Sequence, residues 1–562
     1  MNNRTDRGEK TLAQEDRELE RWLAETLGDD TLTRSARAAA IIPTTAAGKD
    51  HKIQCLIVSQ QLKKGIVSRV RRAEREKIDI LQVDTEIFEK DIGSAFLGDL
   101  VAVMMLLPYQ PILGYDYLRR WDKIFKKRVI LEGICSLLLE YGPAATELII
   151  DPLYFPADKI RRIASFHPEI EIGIETGQFP RIDKVPVSIE PALRGFSEAF
   201  RELHQEGVIQ LIDGELVIRH EYVRAELLGV AAPEAILRDL ERTARWYIAE
   251  GLAKYTDPVG ALRAVSNSLR RRLRRESRKR PDLVDPERYI YFATSSGKQP
   301  LSPEISSEEM AARSGVFAGA SGIRTTRLRG VLNSVFVMES SGRRVIAKRF
   351  NDWSNLKWFP LSIWAIGVRD FALIGKNRMA NEYAFNRHLH GEGFCVPNVL
   401  NVAWRDRTIL EEYVEGSESS SVVNRVLSGR EVRPEDSELI RKAARTIAQV
   451  HEKRVGLGDC KPENIMLKPT GDVYLIDLEQ AEFGGDPSWD IAEFLFYSCR
   501  YALRPKNVHG LCRNFIEGYL EVGSQAAIRR AASPRYLSIF APVMTLPVMI
   551  KIARECKKAS RA

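Results

Sequence analysis

Cysteine is scarce in this chain and never clustered: there are seven thiols in 562 residues, none spaced Cys-x-x-Cys. That spacing argues against a structural zinc site and a disulfide framework, and the odd count suits reduced thiols in a cytoplasmic compartment. A dominant charge of one sign is missing as well. With 84 basic against 76 acidic residues the net charge is +8, an excess too small for this length to argue for nucleic acid by itself. Nor is there a run of the roughly 20 uninterrupted apolar residues that a membrane span needs. The two nearest, Leu97 to Leu113 and Tyr536 to Ala553, are broken by Asp99 and two prolines and by two prolines and Lys551; both read as buried helices. The first residues are polar and charged, without the apolar core of a secretion signal. What remains, 44% hydrophobic and 28% charged residues, is globular composition on a chain long enough for two or three cores.

Residues 1–50 read as a tail, with one amphipathic helix between Leu12 and Leu27. From Lys52 the pattern changes. Ile53 to Val58 reads as a buried strand, a basic helix-like segment follows to Glu76, and Ile78 to Val83 reads as a second strand. Strand, crossover, strand predicts a small α/β domain with a parallel sheet over 51–189. Asp116 to Glu140 has helical periodicity and stops at Gly142-Pro143. Asp79 and Asp84 give this domain a faint resemblance to nucleotidyltransferases, but no Gly-Ser pair precedes them at the required spacing, and a catalytically silent domain is expected.

Over 190–280 a mostly helical, winged-helix-like region is interrupted by two apolar runs around Asp213-Gly214, which predict a hairpin. Its end, Arg270 to Arg280, is strongly cationic. This stretch reads either as a face for phosphate backbones or as a solvated helix end, and the lack of interleaved aromatics leaves base stacking unsupported. Residues 281–320 are dense in Pro, Ser and Gly and read as a linker.

The chemistry gathers in Val455 to Glu493. Asp459 and Asn464 are separated by four residues on a loop that Gly458 and Pro462 keep from being helix, and an apolar run from Val473 to Ile476 delivers Asp477 to the end of a strand. Such a set suits phosphoryl transfer: one carboxylate orients an attacking hydroxyl, while a second carboxylate and an amide oxygen hold Mg²⁺ against nucleotide phosphates. Lys461 is within reach of the phosphoryl group in flight.

That spacing resembles the protein-kinase superfamily over residues 321–562. Lys461-Pro462-Glu463-Asn464 is similar to the Ser/Thr protein kinases. Asp477-Leu478-Glu479 with Trp489-Asp490-Ile491-Ala492 is closer to aminoglycoside and choline phosphotransferases and to minimal kinases such as RIO and the KEOPS-complex kinase. The resemblance implies an α+β, bilobal domain with a β-rich first lobe and a helical second lobe. It implies ATP and Mg²⁺ as cofactors, a phosphate-covering turn at Gly330, a phosphate-pairing lysine at Lys348 with Glu382 as its helix partner, and adenine against the backbone of Glu412 to Val414. It also implies catalytic roles for Asp459 and Lys461, metal ligation by Asn464 and Asp477 with Glu479 as a second metal-proximal acid, and Asp490 as the brace of the catalytic loop.

Three departures bear on function. Leu457 stands where the family usually has His, only Gly330 marks a turn that commonly carries several glycines, and no long activation segment separates Glu479 from Asp490. The short segment favours an atypical Ser/Thr protein kinase, with a small-molecule phosphotransferase as the alternative, while the missing His and sparse glycines motivate a further one, a nucleotide-binding ATPase switch or scaffold on RNA.

Overall fold

The computed structural model describes residues 35–42, 51–73, 76–106, 109–166, 190–222, 245, 285–301, 309–311, 315–317, 322–328, 333–352, 374–429, 432–500, 502 and 508–559. The expected helix at Leu12 to Leu27, the cationic stretch Arg270 to Arg280 and Gly330 lie outside them. The chain divides into two units, Met1–Leu139 with Ile150–Ile290, and Glu140–Ile149 with Tyr291–Ala562.

In the first unit, strands β1 (Ala36–Ile42), β2 (His51–Ser59), β3 (Ile66–Ala73), β4 (Glu76–Asp84) and β5 (Gln110–Leu113) form one sheet in the order β3-β4-β2-β1-β5. β2 and β4 are parallel, with Ile53 opposite Ile78 and Val58 opposite Val83. The segment between them corrects the sequence reading. It is not a basic helix but β3, antiparallel to β4. Gly65, at φ +70°, turns the chain, and the β-branched Ile66, Val67 and Val70 favour the pleat. The arginines suit an edge strand, where charge blocks further pairing.

The presumed tail also needs correcting, since β1 pairs with both β2 and β5. Alanine has little strand propensity, and β1 is held instead by complete burial of Ala38 and Ala39. Helix α1 (Thr85–Ser94) follows β4, and Asp84 is its N-cap, accepting from the backbone N–H of Glu86 and of Leu62. Asp79 and Asp84, an odd number apart on one strand, point to opposite faces and do not converge.

Helix α2 (Tyr115–Tyr141) matches the periodic stretch, and its last residues belong to the second unit. After β6 (Leu148–Ile150) come α3 (Tyr154–Phe166), α4 (Glu190–Gln205) and the hairpin of β7 (Ile209–Ile212) and β8 (Glu215–Ile218). Asp213 and Gly214 turn that hairpin with φ of 50° and 84°, as the Asp-Gly pair predicts.

The expected linker is partly folded. Asp285 caps a short 3₁₀ turn, Pro286–Tyr289, and β9 (Ile290–Thr294) and β10 (Gly297–Pro300) pair as a hairpin. Its glycine is turn chemistry, with Gly297 at φ +103°, and Phe292, Met310 and Phe317 are buried.

The second unit opens with an antiparallel sheet of β11 (Arg324–Arg327), β12 (Ser334–Ser340), β13 (Arg343–Arg349), β14 (Val399–Ala403) and β15 (Thr408–Glu412), ordered β11-β12-β13-β15-β14. Helix α5 (Gly375–Gly391) lies between β13 and β14 in the chain. Beyond β15 the unit is mainly helical. β16 (Ser417–Glu418) leads into α6 (Ser419–Ser428) and α7 (Pro434–Glu452), followed by short strands β17 (Val455–Gly456), β18 (Ile465–Leu467), β19 (Val473–Leu475) and β20 (Glu482–Phe483). Helices α8 (Pro487–Ala492), α9 (Val508–Leu520), α10 (Gln525–Ala531), α11 (Pro534–Phe540) and α12 (Leu546–Ala559) complete it. One continuous core joins α7 to α9 through Ile447, Val450, Phe515 and Tyr519, and Phe494 stacks on Phe515 at 4.6 Å. This is the α+β arrangement expected of the C-terminal half.

Both apolar runs prove to be broken elements. Tyr536 to Ala553 is split among α11, a 3₁₀ turn and α12. Leu97 to Leu113 contains a 3₁₀ turn and β5 in place of the expected helix. Among the described residues one helical stretch, Tyr115–Glu147, is long and apolar enough to cross a membrane, and 56% of its window is buried within the fold.

Candidate active site

The site is built from the backbone outward. Asp490, at the start of α8, is fully buried and accepts from the backbone N–H groups of Leu457 and Gly458, both at 2.7 Å. Trp489 donates its indole N–H to the Gly458 carbonyl at 3.0 Å, and Glu493 accepts from Cys460 N–H at 2.8 Å. Glu493 opens a π-helical turn that runs to Tyr497, an irregularity of the kind that gathers at functional positions. Four bonds thus fix residues 457–460 before any catalytic group is placed.

The missing family histidine has a physical counterpart here. His451, from the end of α7, places Nε2 2.9 Å from Asp490 Oδ2 and Nδ1 2.8 Å from the Tyr519 hydroxyl. Leu457 supplies only its backbone N–H and a buried side chain, so the loop is braced without a histidine at that position.

On this support Asp459 stands partly open, its side chain 18% exposed and ion-paired to Lys461. Asn464 donates its amide N–H to the Asp459 carbonyl at 2.8 Å and to Asp459 Oδ2 at 3.1 Å. That orientation leaves the Asn464 amide oxygen as the atom available to a cation. β18 and β19 pair with Ile465 opposite Leu475, and Ile476 N–H donates to the Asn464 carbonyl at 3.0 Å. The hairpin therefore delivers Asn464 and Asp477 to one end. Asp477 sits at φ 61°, a left-handed conformation that non-glycine residues hold mostly where the surroundings impose it.

Lys348, on β13, closes the group from the other side. Its ammonium pairs with Asp477 Oδ1 and lies 3.3 Å from Glu382 Oε1 on α5. Burial works against the Lys348 charge, but Asp477, Glu382, Glu479 and Glu411 together hold its pKa well above the ordinary value. Glu382 is raised by burial despite Lys348, with Glu411 adding to the rise. For Lys461, burial is again outweighed, by Asp459 and Glu493, and the ammonium stays charged. Cys460 is buried and its thiol is pushed far up, first by burial, which leaves it an inert filler.

One expectation changes. Glu479 is not open to a cation: Arg378 Nη1 reaches both its carboxylate oxygens at 3.1 and 3.3 Å, and Asn333 Nδ2 donates to Oε2 at 2.5 Å. Its charge is answered by a guanidinium, so the metal-proximal role gives way to a structural one. Glu412 ends β15 with its carboxylate bonded to Asn398 Nδ2 at 2.6 Å, and Val414 is buried just beyond it.

Sequence reasoning missed Asn333, Arg378, His451, Glu493, Tyr497 and Arg500. The last two flank Lys461: Tyr497 lies 5.4 Å from its ammonium, and Arg500 stacks on Tyr497 at 3.7 Å while donating to Glu463 at 3.0 Å. Of these only Glu493 lies in the stretch that carries the motifs, where it follows Trp489-Asp490-Ile491-Ala492, and nothing local marked the others.

The donor set suits Mg²⁺. Asp477, its side chain 32% exposed, and the Asn464 amide oxygen are hard oxygen ligands, and two of them with water and phosphate oxygens make an ordinary magnesium shell.

A model of the lipopolysaccharide kinase (Kdo/WaaP) family matches residues 332–513. Among solved structures, one described as an aminoglycoside phosphotransferase from Ralstonia eutropha is similar at 12% identity over 45% of this chain and 98% of that one, with a TM-score of 0.26. Rv3197 of Mycobacterium tuberculosis, solved with erythromycin, is similar at 14% identity over 46% and 81%, with a TM-score of 0.22. The bifunctional kinase-methyltransferase WbdD is similar at 14% over 45% and 53%, with a TM-score of 0.23. No chemistry is carried from likeness this distant. No curated protein matches. The C-terminal half has a protein-kinase-like fold.

Proposed function

We propose that this chain transfers the terminal phosphoryl group of ATP to a hydroxyl, with Mg²⁺, and that the acceptor is a saccharide hydroxyl. The observation that carries the reaction is the paired engagement of Lys348 by Asp477 and Glu382, on the sheet that faces the Asp459 loop in kinase-like folds. Lys348, held by Glu382 against its own flexibility, would grip the nucleotide phosphates. Asn464 and Asp477 would hold Mg²⁺, which when bound supplies charge neutralisation at the phosphate oxygens. Asp459 would accept a hydrogen bond from the acceptor hydroxyl and orient its lone pair toward the phosphorus. Lys461, charged at neutral pH, would stabilise the negative charge on the moving phosphoryl oxygens. The bond formed is acceptor oxygen to phosphorus, the bond broken joins the γ-phosphorus to the β–γ bridging oxygen, the hydroxyl proton would pass to the Asp459 carboxylate, and ADP leaves.

The saccharide rests on the description of the matching family, whose members are named for lipopolysaccharide. It also fits the short path from Glu479 to α8, only seven residues before Pro487, which leaves no room for a peptide-docking segment. A protein Ser/Thr acceptor is the second reading, favoured by Lys461-Pro462-Glu463-Asn464. Incubating the full chain with labelled ATP, Mg²⁺ and either core saccharides or generic protein substrates separates them. Transfer to saccharide that is lost in Asp477→Asn is expected; transfer to protein alone would replace the first acceptor with the second.

A further inference from the structure

Arg378 is the largest completely buried side chain among the described residues. A guanidinium in such a place is retained only if its partners repay desolvation. Those partners come from separate stretches of the second unit. Nη1 donates to Asn333 Oδ1 at 2.9 Å, just before β12, and to Glu479, two residues beyond Asp477. Nη2 donates to the Asn351 carbonyl just past β13. Asn333 in turn donates to Glu479, and Asn381, one helical turn from Arg378, donates to the Glu479 carbonyl at 3.0 Å. Arg378, Asn381 and Glu382 share one face of α5, so the helix that carries the partner of Lys348 is bolted to the metal-binding loop through side chain and backbone together.

We propose that Arg378, Glu479 and Asn333 form a positioning latch that holds the start of β12, α5 and the Asp477 loop in one register, with Glu479 as its keeper and not as a magnesium ligand. The inference rests on the phosphotransfer reading for its consequence, though the latch itself is a statement about α5. A guanidinium suits the role because its planar fork aims Nη1 at Glu479 and Asn333 and Nη2 at the Asn351 carbonyl, fixing direction as well as distance. With the latch closed, Glu382 and Asp477 approach Lys348 from opposite sides; with it open, either can drift and the phosphates lose their grip.

The test uses the full chain and four variants, Arg378→Lys, Glu479→Gln, Asn333→Ala and the Arg378→Lys/Glu479→Gln pair. Two quantities are read: amide exchange across α5 without nucleotide, and the KM for MgATP set beside the Mg²⁺ concentration giving half-maximal rate. Each single change should speed α5 exchange by about tenfold and raise KM for MgATP by about tenfold with a smaller change in kcat. The Mg²⁺ requirement should hold, and the pair should cost no more than the worse single change. Asn333→Ala leaves no buried charge behind, so it reports even if the arginine variants fold poorly. Overturning results are a raised Mg²⁺ requirement in Glu479→Gln alone with independent effects in the pair, or α5 exchange and MgATP KM within about twofold of the parent in Asn333→Ala and Arg378→Lys. Faster α5 exchange in a chain that transfers no phosphate supports the latch while removing the phosphotransferase reading.

Discussion

Buried acids in the two units are used differently. In the first unit Asp91 accepts from four backbone N–H groups, those of Leu97, Asp99, Val101 and Ala102, at 2.7 to 3.2 Å. Asp99 beside it is answered by Arg128 at 2.5 Å and Lys159 at 2.6 Å. Every oxygen there is committed to folding the turn after α1. The second unit has such an acid in Asp490, saturated by the catalytic loop and His451. It also has Asp459 and Asp477, which are half-open and held by lysines. Backbone donors cannot leave an acid without unfolding a loop, whereas a lysine can share it with a cation or a hydroxyl. An acid fed by backbone N–H groups is scaffold; one held only by mobile side chains is available for chemistry.

The largest effects should break that contrast at its open end. Asp477→Asn takes one of two carboxylate partners from the buried Lys348 ammonium, which Glu382 still holds, so the melting transition should fall modestly while phosphoryl transfer falls at least about 1000-fold, or about 4 kcal/mol of transition-state stabilisation. Asp459→Asn should behave alike. Turnover within tenfold of the parent in either would place the chemistry elsewhere. Asp490→Ala should do the reverse. It strands two buried N–H groups and His451, at a cost of roughly 2–5 kcal/mol, and calorimetry should show the second unit melting early before any kinetic question arises. A third change, Asp91→Asn, sharpens the comparison from the first unit. An amide replaces one of the two accepting oxygens with a donor facing N–H groups, so about 2–3 kcal/mol of stability should go, read by denaturant titration.

How far these roles were legible depends on what kind of residue signals them. Asp459, Asn464, Asp477, Lys348 and Glu382 could be read because their spacing on loop, strand and helix is itself the requirement of the chemistry. The supports could not. Arg378 and Glu479 are 101 residues apart, and Asn333 joins them from the far side of a turn, so nothing local marks them as partners. Glu479 was misjudged for that reason, as an acid near a metal loop looks like a ligand until its arginine is seen. The same limit explains β1, whose alanines lack strand propensity and are placed only by burial between β2 and β5, and the hairpin of β9 and β10, whose Pro and Gly content reads equally as linker or as turn. Leu457 looked like a defect in the catalytic loop, but its partner's role is filled by His451 from the preceding helix.

The smallest effect concerns pH. Asp122, on α2 in the first unit, is buried and its pKa is raised from 3.8 to about 6, by burial above all, with Lys126 pulling it back and Glu198 adding to the rise. Gly195 of α4 packs directly against it, with a Cβ there only 2.0 Å from its Oδ2, so glycine at 195 is what makes room for the carboxyl. A carboxyl whose folded pKa lies above its unfolded one favours folding while both forms are protonated, and that contribution fades as pH rises through the folded value. Between about pH 4 and pH 6 the first unit should therefore lose about 2 kcal/mol from this group. Asp122→Asn with Lys126→Met removes both the titrating carboxyl and the buried ammonium that answers it at 2.9 Å, and should flatten the profile in that window. A slope that survives the double substitution would assign the titration to another acid, and would remove Asp122 from the set of buried acids that α2 and α4 enclose without saturating.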